Sequence, residues 1–212
     1  MILGITGSIG SGKTTVAKLF SRHWYNRIDA DEIGHEIIKK NSIAYKKIIK
    51  EFGNEILDKN KDIDRNKLGD IVFSDSKKLK QLNLIMHPMI INEIKNQIKN
   101  KCGDTRKNQR FLRYRKSKGF SCKTKIVIDS PLLLETKIKD LIDKIIIIKC
   151  NKENIIKRLN KKYKKEKIES ILNAQMPLNE KLKYADFVID NNKDLKQLEK
   201  QVKNIMEKLN QE

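Results

Sequence analysis

The first fourteen residues constrain this chain more than any other stretch. An apolar run from Met1 to Thr6 leads directly into Gly-Ser-Ile-Gly-Ser-Gly-Lys-Thr, residues 7–14, which fits the P-loop pattern G-x-x-x-x-G-K-[ST]. Glycines let a backbone turn tightly and approach a phosphate closely. The N–H groups of such a loop, together with the N-terminus of the next helix, bind anionic oxygens. The sequence therefore predicts a strand, a phosphate-binding loop and a helix, and with them a nucleotide site.

Two side chains at the end of this loop carry the chemistry that the pattern requires. Lys13 can place a positive charge on the β- and γ-phosphates, and the Thr14 hydroxyl can bind Mg²⁺. The next stretch is amphipathic, because Val16, Leu19 and Phe20 recur at helical spacing. This context favours a functional P-loop over the alternative, a purely structural glycine-rich turn.

Four later stretches predict the other strands of a sheet. They are residues 25–31, 125–129, 143–149 and 187–190. Helical stretches separate the runs, which is typical of right-handed βαβ units and a parallel sheet. We therefore predict an α/β fold of the P-loop NTPase type, with a five-stranded parallel sheet flanked by helices.

Acidic residues at the ends of these runs are candidate site residues, because ligands bind beyond the carboxyl ends of parallel strands. Asp29 and Asp31 end the second run, and strand spacing predicts that both project to the same side. We expect one of them to cap a helix starting near Glu32 and the other to orient an acceptor hydroxyl. Asp129 ends the third run and can hold Mg²⁺, usually through water, across from the P-loop hydroxyl.

Residues 33–100 carry mostly helical apolar spacing. Gly53 predicts the end of one helix, and Pro88 predicts the first turn of another. His87 directly precedes this proline. A histidine in that position is more often a packed or capping residue, and the alternative is contact with a phosphate or hydroxyl of a second substrate.

The charge is strongly basic and unevenly distributed. The chain has 47 Lys or Arg against 27 Asp or Glu, for a net charge of +20. Residues 99–125 contain eleven of these bases and a single acid, Asp104, with Phe111, Tyr114 and Phe120 between them. Such a mixture can bind single-stranded nucleic acid. We favour a solvated loop or hairpin, with compositional drift behind most of the charge and anionic ligands using the rest.

Cysteine use and hydropathy indicate the cellular location. Cys102, Cys122 and Cys150 form no C-x-x-C pair, and the N-terminus lacks the features of a signal peptide. The apolar runs are too short to span a bilayer. We therefore predict reduced thiols, a cytoplasmic protein and no membrane partner.

Seven short motifs, in this order and spacing, resemble those of the dephospho-CoA kinase family between residues 2 and 192. They are T-G-S-I-G-S-G-K-T-T-V-A at 6–17, I-D-A-D-E-I at 28–33, L-N-L-I-M-H-P at 82–88, D-S-P-L-L-L-E at 129–135, R-L at 158–159, A-Q-M-P at 174–177 and A-D-F-V-I-D-N at 185–191. The P-loop alone is generic, and the set together is specific.

The chain departs from that family in three places. The family usually has a glycine before the second strand, where this chain has His23-Trp24-Tyr25-Asn26. It often has Arg-Asp shortly after the arginine of the lid, where this chain has Lys161-Lys162. The basic segment 99–125 is longer than the family norm.

The resemblance implies transfer of the γ-phosphate of ATP to the ribose 3′-hydroxyl of dephospho-CoA, the last step of coenzyme A synthesis, with Mg²⁺ as cofactor. It implies that Asp31 activates the acceptor and that Arg158 and Lys13 contact phosphate. It implies that ATP lies on Gly10, Ser11, Gly12, Lys13, Thr14 and Thr15, that the acceptor contacts Asp31, His87, Pro131 and Leu132, and that Mg²⁺ lies on Thr14 and Asp129.

The resemblance also suggests a division of one kinase domain spanning residues 1–212. The predicted parts are a core (1–32, 125–153 and 177–212), a helical coenzyme-binding part (33–98), a basic insertion (99–124) and a lid (154–176). Two alternatives remain open at this point: another small-molecule or nucleoside monophosphate kinase, and a P-loop NTPase that binds nucleic acid. A monomer is the favoured oligomeric state.

Overall fold

The computed structural model describes residues 1–103 and 124–211. Most of the predicted basic insertion, 99–124, therefore lies outside the described residues. The chain divides into two compact units. The first comprises Met1–Asp29 and Asn96–Glu212, and the second is Ala30–Lys95.

The first unit is built on a parallel five-stranded sheet with the order β2-β3-β1-β4-β5, which confirms the predicted α/β fold. The strands are β1 (Ile2–Gly7), β2 (Asn26–Asp29), β3 (Ile126–Asp129), β4 (Lys144–Lys149) and β5 (Phe187–Asp190). All residues of β1 and β3 are buried, as expected for parallel strands covered on both faces.

Helices connect these strands and make up most of the second unit. They are α1 (Lys13–Ser21), α2 (Ala30–Ile37), α3 (Ile43–Phe52), α4 (Arg65–Ser74), α5 (Ser76–Lys101), α6 (Lys152–Leu159), α7 (Lys165–Asn173), α8 (Leu178–Leu182) and α9 (Leu195–Leu209). Short 3₁₀ turns lie at Asn54–Ile56, Leu133–Glu135 and Lys137–Leu141. Across the described ranges, every helix is too short or too polar to cross a membrane.

The core of the first unit lies where α1 and α9 pack on the sheet. Leu3 and Ile5 of β1 contribute to one apolar cluster with Val16 and Phe20 of α1. The C-terminal helix α9 adds a stripe of buried side chains at helical spacing. These are Leu198, Val202, Ile205 and Leu209. This packing fixes the start of α1 against the end of β1.

The second unit has its own apolar cluster, formed by α3, α4, α5 and the first 3₁₀ turn. Ile48, Ile56 and Val72 lie at its centre. Ser42 caps α3 by accepting the Tyr45 N–H at 3.0 Å. Gly53 ends the same helix with φ 80°, as the sequence predicted.

The turn between α1 and β2 explains one departure from the family pattern. The Tyr25 N–H donates back to the Phe20 carbonyl at 3.4 Å, and Trp24 adopts φ 67°. This left-handed position after a helix is one that glycine usually occupies, since a Cβ is unfavourable there. Trp24 takes it with its side chain 89% exposed.

The prediction that Asp29 and Asp31 extend from one strand is wrong. Strand β2 ends at Asp29, and α2 begins at Ala30. Asp31 therefore lies in the first turn of α2, beside Glu32. Carboxylates at a helix N-terminus are favoured by the helix dipole, which here outweighs the strand spacing.

The prediction that a helix starts at Pro88 is also wrong. Helix α5 runs without interruption from Ser76 to Lys101, with Pro88 inside it. An internal proline costs about 3 kcal/mol in a helix. Apolar packing on both sides offsets that cost, because Leu82 and Ile85 join the cluster of the second unit and Ile94 is fully buried.

The prediction of reduced thiols covers three cysteines, and Cys122 lies outside the described residues. Cys150, directly after β4, is a buried free thiol. Burial raises the pKa of Cys150, and the Arg158 guanidinium partly opposes this shift.

We expect Leu198→Ala to lower the free energy of unfolding by about 2–5 kcal/mol, because it leaves a cavity beneath α9. Leu195 lies on the same helix but is 54% exposed, so Leu195→Ala should change that energy by less than about 0.5 kcal/mol. Urea denaturation followed by circular dichroism measures both. Equal losses in the two variants would show that α9 does not bury the stripe described above.

We expect Cys150 in the folded protein to react slowly with iodoacetamide at pH 7.5, because the thiolate is the nucleophile and burial raises the pKa of this thiol. The protonated Cys150 thiol contributes fully to stability below the pKa that it has in the unfolded state. That contribution is lost as the pH rises through the raised pKa of the folded state. Mass spectrometry of the Cys150 peptide, with and without urea, measures the rates. Similar rates in both conditions would contradict the burial.

Candidate active site

The P-loop joins β1 to α1 in a conformation that glycine makes possible. Gly10 and Gly12 have φ 71° and 97°, both in the left-handed region. The Ser11 N–H donates to the Ser8 carbonyl at 3.1 Å, which closes the loop. Gly12 is the N-cap of α1 and offers no side chain to cap the helix. The first N–H groups of α1 are therefore suited to bind an anion.

Lys13 lies against this loop. Lys13 is 8% exposed, and its Nζ donates to the Ser8 carbonyl at 3.0 Å. The Lys13 ammonium group is therefore held beside the P-loop, whose backbone amides face the anion site. A bound phosphate oxygen can replace the Ser8 carbonyl as its acceptor.

A hydrogen bond between Thr14 and Asp129 links the P-loop to the end of strand β3. The Thr14 hydroxyl donates to Asp129 Oδ2 at 2.8 Å, and Asp129 is 3% exposed. Arg27 Nη2 lies 3.3 Å from the same carboxylate oxygen and also pairs with Asp29. Asp29 and Asp129 are register partners in the β2–β3 pairing, so Arg27 neutralises two adjacent carboxylates. Asp29 thus has a structural ion pair.

The donor set at Thr14 and Asp129 fits Mg²⁺. The cation prefers oxygen ligands and usually keeps several waters, with one or two carboxylates and substrate phosphates completing its shell. A hydroxyl and a carboxylate 2.8 Å apart supply two such oxygens. Within residues 1–103 and 124–211, no cluster of three His, Cys, Asp or Glu side chains forms a self-sufficient metal site. The arrangement therefore suits a cation that arrives with a nucleotide.

Arg158 of α6 contacts the P-loop backbone. Its Nη1 lies 3.3 Å from the carbonyl oxygens of Gly10 and Ser11 and from Cys150 Sγ. Its Nη2 donates to the Asn191 carbonyl at 2.9 Å. The guanidinium is thus held beside the phosphate loop by four acceptors, and the residue remains exposed to solvent.

The loop after β3 is held by a buried lysine that the sequence interpretation missed. Lys181 is fully buried, and its Nζ donates to the Pro131 carbonyl at 2.9 Å and pairs with Glu135 at 3.2 Å. Thr6 Oγ1 donates to the same Pro131 carbonyl at 3.2 Å. Leu132, the next residue, is half-buried. This network fixes the backbone at Pro131 and Leu132.

The chain after α7 also reaches the P-loop. Gln175 Oε1 accepts the Ile9 N–H at 3.1 Å, and the next N–H, of Met176, donates to Glu135 at 3.0 Å. Gln175 and Met176 belong to the A-Q-M-P motif, so that motif was the signal for these contacts. Spacing alone could not reveal their partners, which lie far away in the chain.

The predicted site residues divide between the two units. Lys13, Thr14 and Asp129 meet in the first unit, with Thr15 exposed on α1. Asp31 and His87 belong to the second unit. Asp31 is exposed in the first turn of α2, and His87 is half-buried on α5.

The family model of dephospho-CoA kinase matches residues 1–197. A dephospho-CoA kinase from Carboxydothermus hydrogenoformans is 37% identical over 209 residues, covering 98% of this chain and 93% of that protein. One from Fusobacterium nucleatum is 38% identical over 209 residues, covering 98% and 97%.

Solved structures agree with this match. TT1252 from Thermus thermophilus has a TM-score of 0.72 at 26% identity, covering 99% of this chain and 97% of that one. A dephospho-CoA kinase from Campylobacter jejuni has a TM-score of 0.62 at 26% identity, covering 98% and 96%. A shikimate kinase from Bacteroides thetaiotaomicron, at 13% identity and a TM-score of 0.53, shares the fold over 99% and 98% of the two chains. This chain therefore belongs to the dephospho-CoA kinase family.

Proposed function

We propose that this protein transfers the γ-phosphate of ATP to the ribose 3′-hydroxyl of dephospho-CoA, which gives coenzyme A. The observation that carries this proposal is the family match over residues 1–197, which includes the P-loop and every motif named above. The hydrogen bond between Thr14 and Asp129 beside Lys13 supports it, because phosphoryl transfer depends on positioning and charge neutralisation.

ATP is proposed to bind along residues 10–15. Backbone N–H groups of the loop and of the start of α1 would donate hydrogen bonds to the phosphates, and Lys13 would supply a positive charge to the β- and γ-phosphates. Arg158 adds a second positive charge next to Gly10 and Ser11. Both cations offset the charge that spreads over the transferred group.

Mg²⁺ is proposed to be held by Thr14 and Asp129. When bound, the ion would supply positive charge that offsets the charge of the phosphates. Arg27 keeps the Asp129 carboxylate oriented, since it pairs with the same oxygen that accepts the Thr14 hydroxyl.

The acceptor is proposed to meet Asp31, His87, Pro131 and Leu132. Asp31 would accept or orient the proton of the 3′-hydroxyl, and its exposure at the start of α2 leaves the carboxylate accessible. The backbone at Pro131 is held by Thr6 and Lys181, so this part of the acceptor site is preformed. Residues 154–176 are the proposed lid, which would exclude water during transfer.

The proposed setting is the cytoplasm, because the reaction consumes ATP, and the proposed working form is a monomer. The proposed partners are the two small-molecule substrates, ATP and dephospho-CoA.

Transfer of labelled phosphate from ATP to dephospho-CoA tests the proposed function. We expect product with dephospho-CoA and none above background with AMP or shikimate at equal concentration. Preferential labelling of AMP or shikimate would replace this proposal by another small-molecule kinase. Turnover of ATP that requires added single-stranded RNA or DNA would instead indicate a nucleic-acid-dependent NTPase.

We expect Asp31→Asn to lower kcat for dephospho-CoA by roughly 10²-fold, because it removes the general base while keeping the side-chain shape. Glu32→Gln is the matched control, since Glu32 is also an exposed carboxylate in the first turn of α2. Steady-state kinetics should show near-normal turnover in the control, and thermal unfolding should be unchanged in both. Near-full turnover of Asp31→Asn would exclude the proposed role of Asp31.

A further inference from the structure

Asn191, the first residue after β5, is a motif residue without a role in the mechanism above. It is 7% exposed. Its backbone N–H donates to the Lys149 carbonyl at 2.8 Å, which extends the β4–β5 pairing by one residue. Its side-chain Nδ2 donates to the Ser11 carbonyl at 2.7 Å, across 180 positions of sequence. A buried side chain at the end of the sheet is thus hydrogen-bonded to the P-loop backbone.

The Ser11 carbonyl has a second donor from another element. Arg158 Nη1 lies 3.3 Å from it, and Arg158 Nη2 donates to the Asn191 carbonyl at 2.9 Å. The three residues therefore form a closed set of hydrogen bonds at the end of β5. Neither donor can move without breaking a contact with the other.

These hydrogen bonds to the Ser11 carbonyl determine the direction of the Gly12 N–H. A trans peptide unit is planar, with its C=O and N–H directed to opposite sides. The Ser11 carbonyl faces Asn191 and Arg158, so the Gly12 N–H of the same peptide unit faces away from them. Gly12 caps the N-terminus of α1, where the donor groups of a P-loop meet a phosphate.

Gly12 also allows the close approach on which the contact depends. A Cβ placed on it would overlap the Asn191 side-chain amide. Its φ of 97° lies in the left-handed region. Glycine at 12 and asparagine at 191 therefore fit each other sterically.

We infer that Asn191 is a positioning residue for the phosphate site. Its side-chain amide orients the Ser11–Gly12 peptide unit, so that the Gly12 N–H is already directed at a nucleotide phosphate before the nucleotide binds. Donors that are oriented in advance need no reorganisation during binding or transfer. The inference rests on the proposed function for the identity of the nucleotide as ATP.

Two variants of Asn191 and one control test the inference by nucleotide affinity without any acceptor present. Asn191→Leu keeps the size but removes the donor, and Asn191→Asp places an oxygen and a negative charge against the Ser11 carbonyl. Asn192→Asp adds the same charge one residue later, on a side chain that bonds Asn151 and Asp190 and not the P-loop.

Calorimetric titration with MgATP measures the affinities. We expect Asn191→Leu to weaken binding about tenfold, the effect of losing one well-placed hydrogen bond, and Asn191→Asp to weaken it further. Asn192→Asp should stay within about threefold of the wild type, since this half-buried side chain bonds Asn151 and Asp190 and not the Ser11 carbonyl. With dephospho-CoA as acceptor, KM for ATP should rise while KM for the acceptor is unchanged, a split that a general loss of packing would not produce.

Wild-type affinity in a folded Asn191→Leu variant would overturn the inference. A second measurement on the unaltered protein applies if that variant does not fold. The Gly12 amide signal in NMR should shift, and its hydrogen exchange should slow, when MgATP is added. An unchanged Gly12 amide with saturating nucleotide would overturn the inference as well. Because the titration and the NMR measurement omit the acceptor, failure to phosphorylate dephospho-CoA would refute the proposed function and leave their result standing.

Discussion

The parallel register of the sheet is the constraint on which the candidate site depends. β1 lies in the middle, pairs with β3 so that Ile5 faces Asp129, and pairs with β4 so that Gly7 faces Ile148. All the strands run the same way, so their carboxyl ends share one edge. A slip of one residue between β1 and β3 would turn Asp129 to the other face of the sheet and separate it from Thr14. The apolar cluster of α1 and α9 opposes such a slip, because it specifies which side chains are buried.

Buried polar groups then hold the loops that leave this edge. Burying an ammonium group away from water costs free energy unless its N–H donors have acceptors. Lys181 has two, the Pro131 carbonyl and Glu135. Glu135 also accepts the Met176 N–H. The loop after β3 and the segment after α7 are therefore joined through one carboxylate. Such a network gives the site its shape before any ligand arrives.

The strands, the P-loop and the α/β class could be predicted because their signals are local. Buried parallel strands are continuous apolar runs, and a glycine-rich loop between a strand and a helix has few other uses. Asp31 and Pro88 show where local signals fail. Helix initiation at Ala30 outweighs strand spacing, and packing along α5 outweighs the break that a proline favours.

The contacts of Asn191, Gln175 and Lys181 could not be predicted from spacing at all. Each partner of these three side chains lies at least 46 positions away, the shortest separation being Lys181 to Glu135, and only the folded sheet brings them together. The motifs that contain Asn191 and Gln175 indicated that these two residues matter, but not what they touch, and Lys181 lies in none of the motifs.

The left-handed turn at Trp24 has a practical consequence for work on this protein. Trp24 is the single tryptophan of the chain, and its indole is already in water in the native state. The emission maximum of the intrinsic tryptophan fluorescence should therefore shift little when the protein unfolds. A tryptophan introduced into the apolar cluster, for instance Phe20→Trp, would give the chain an optical reporter of its core.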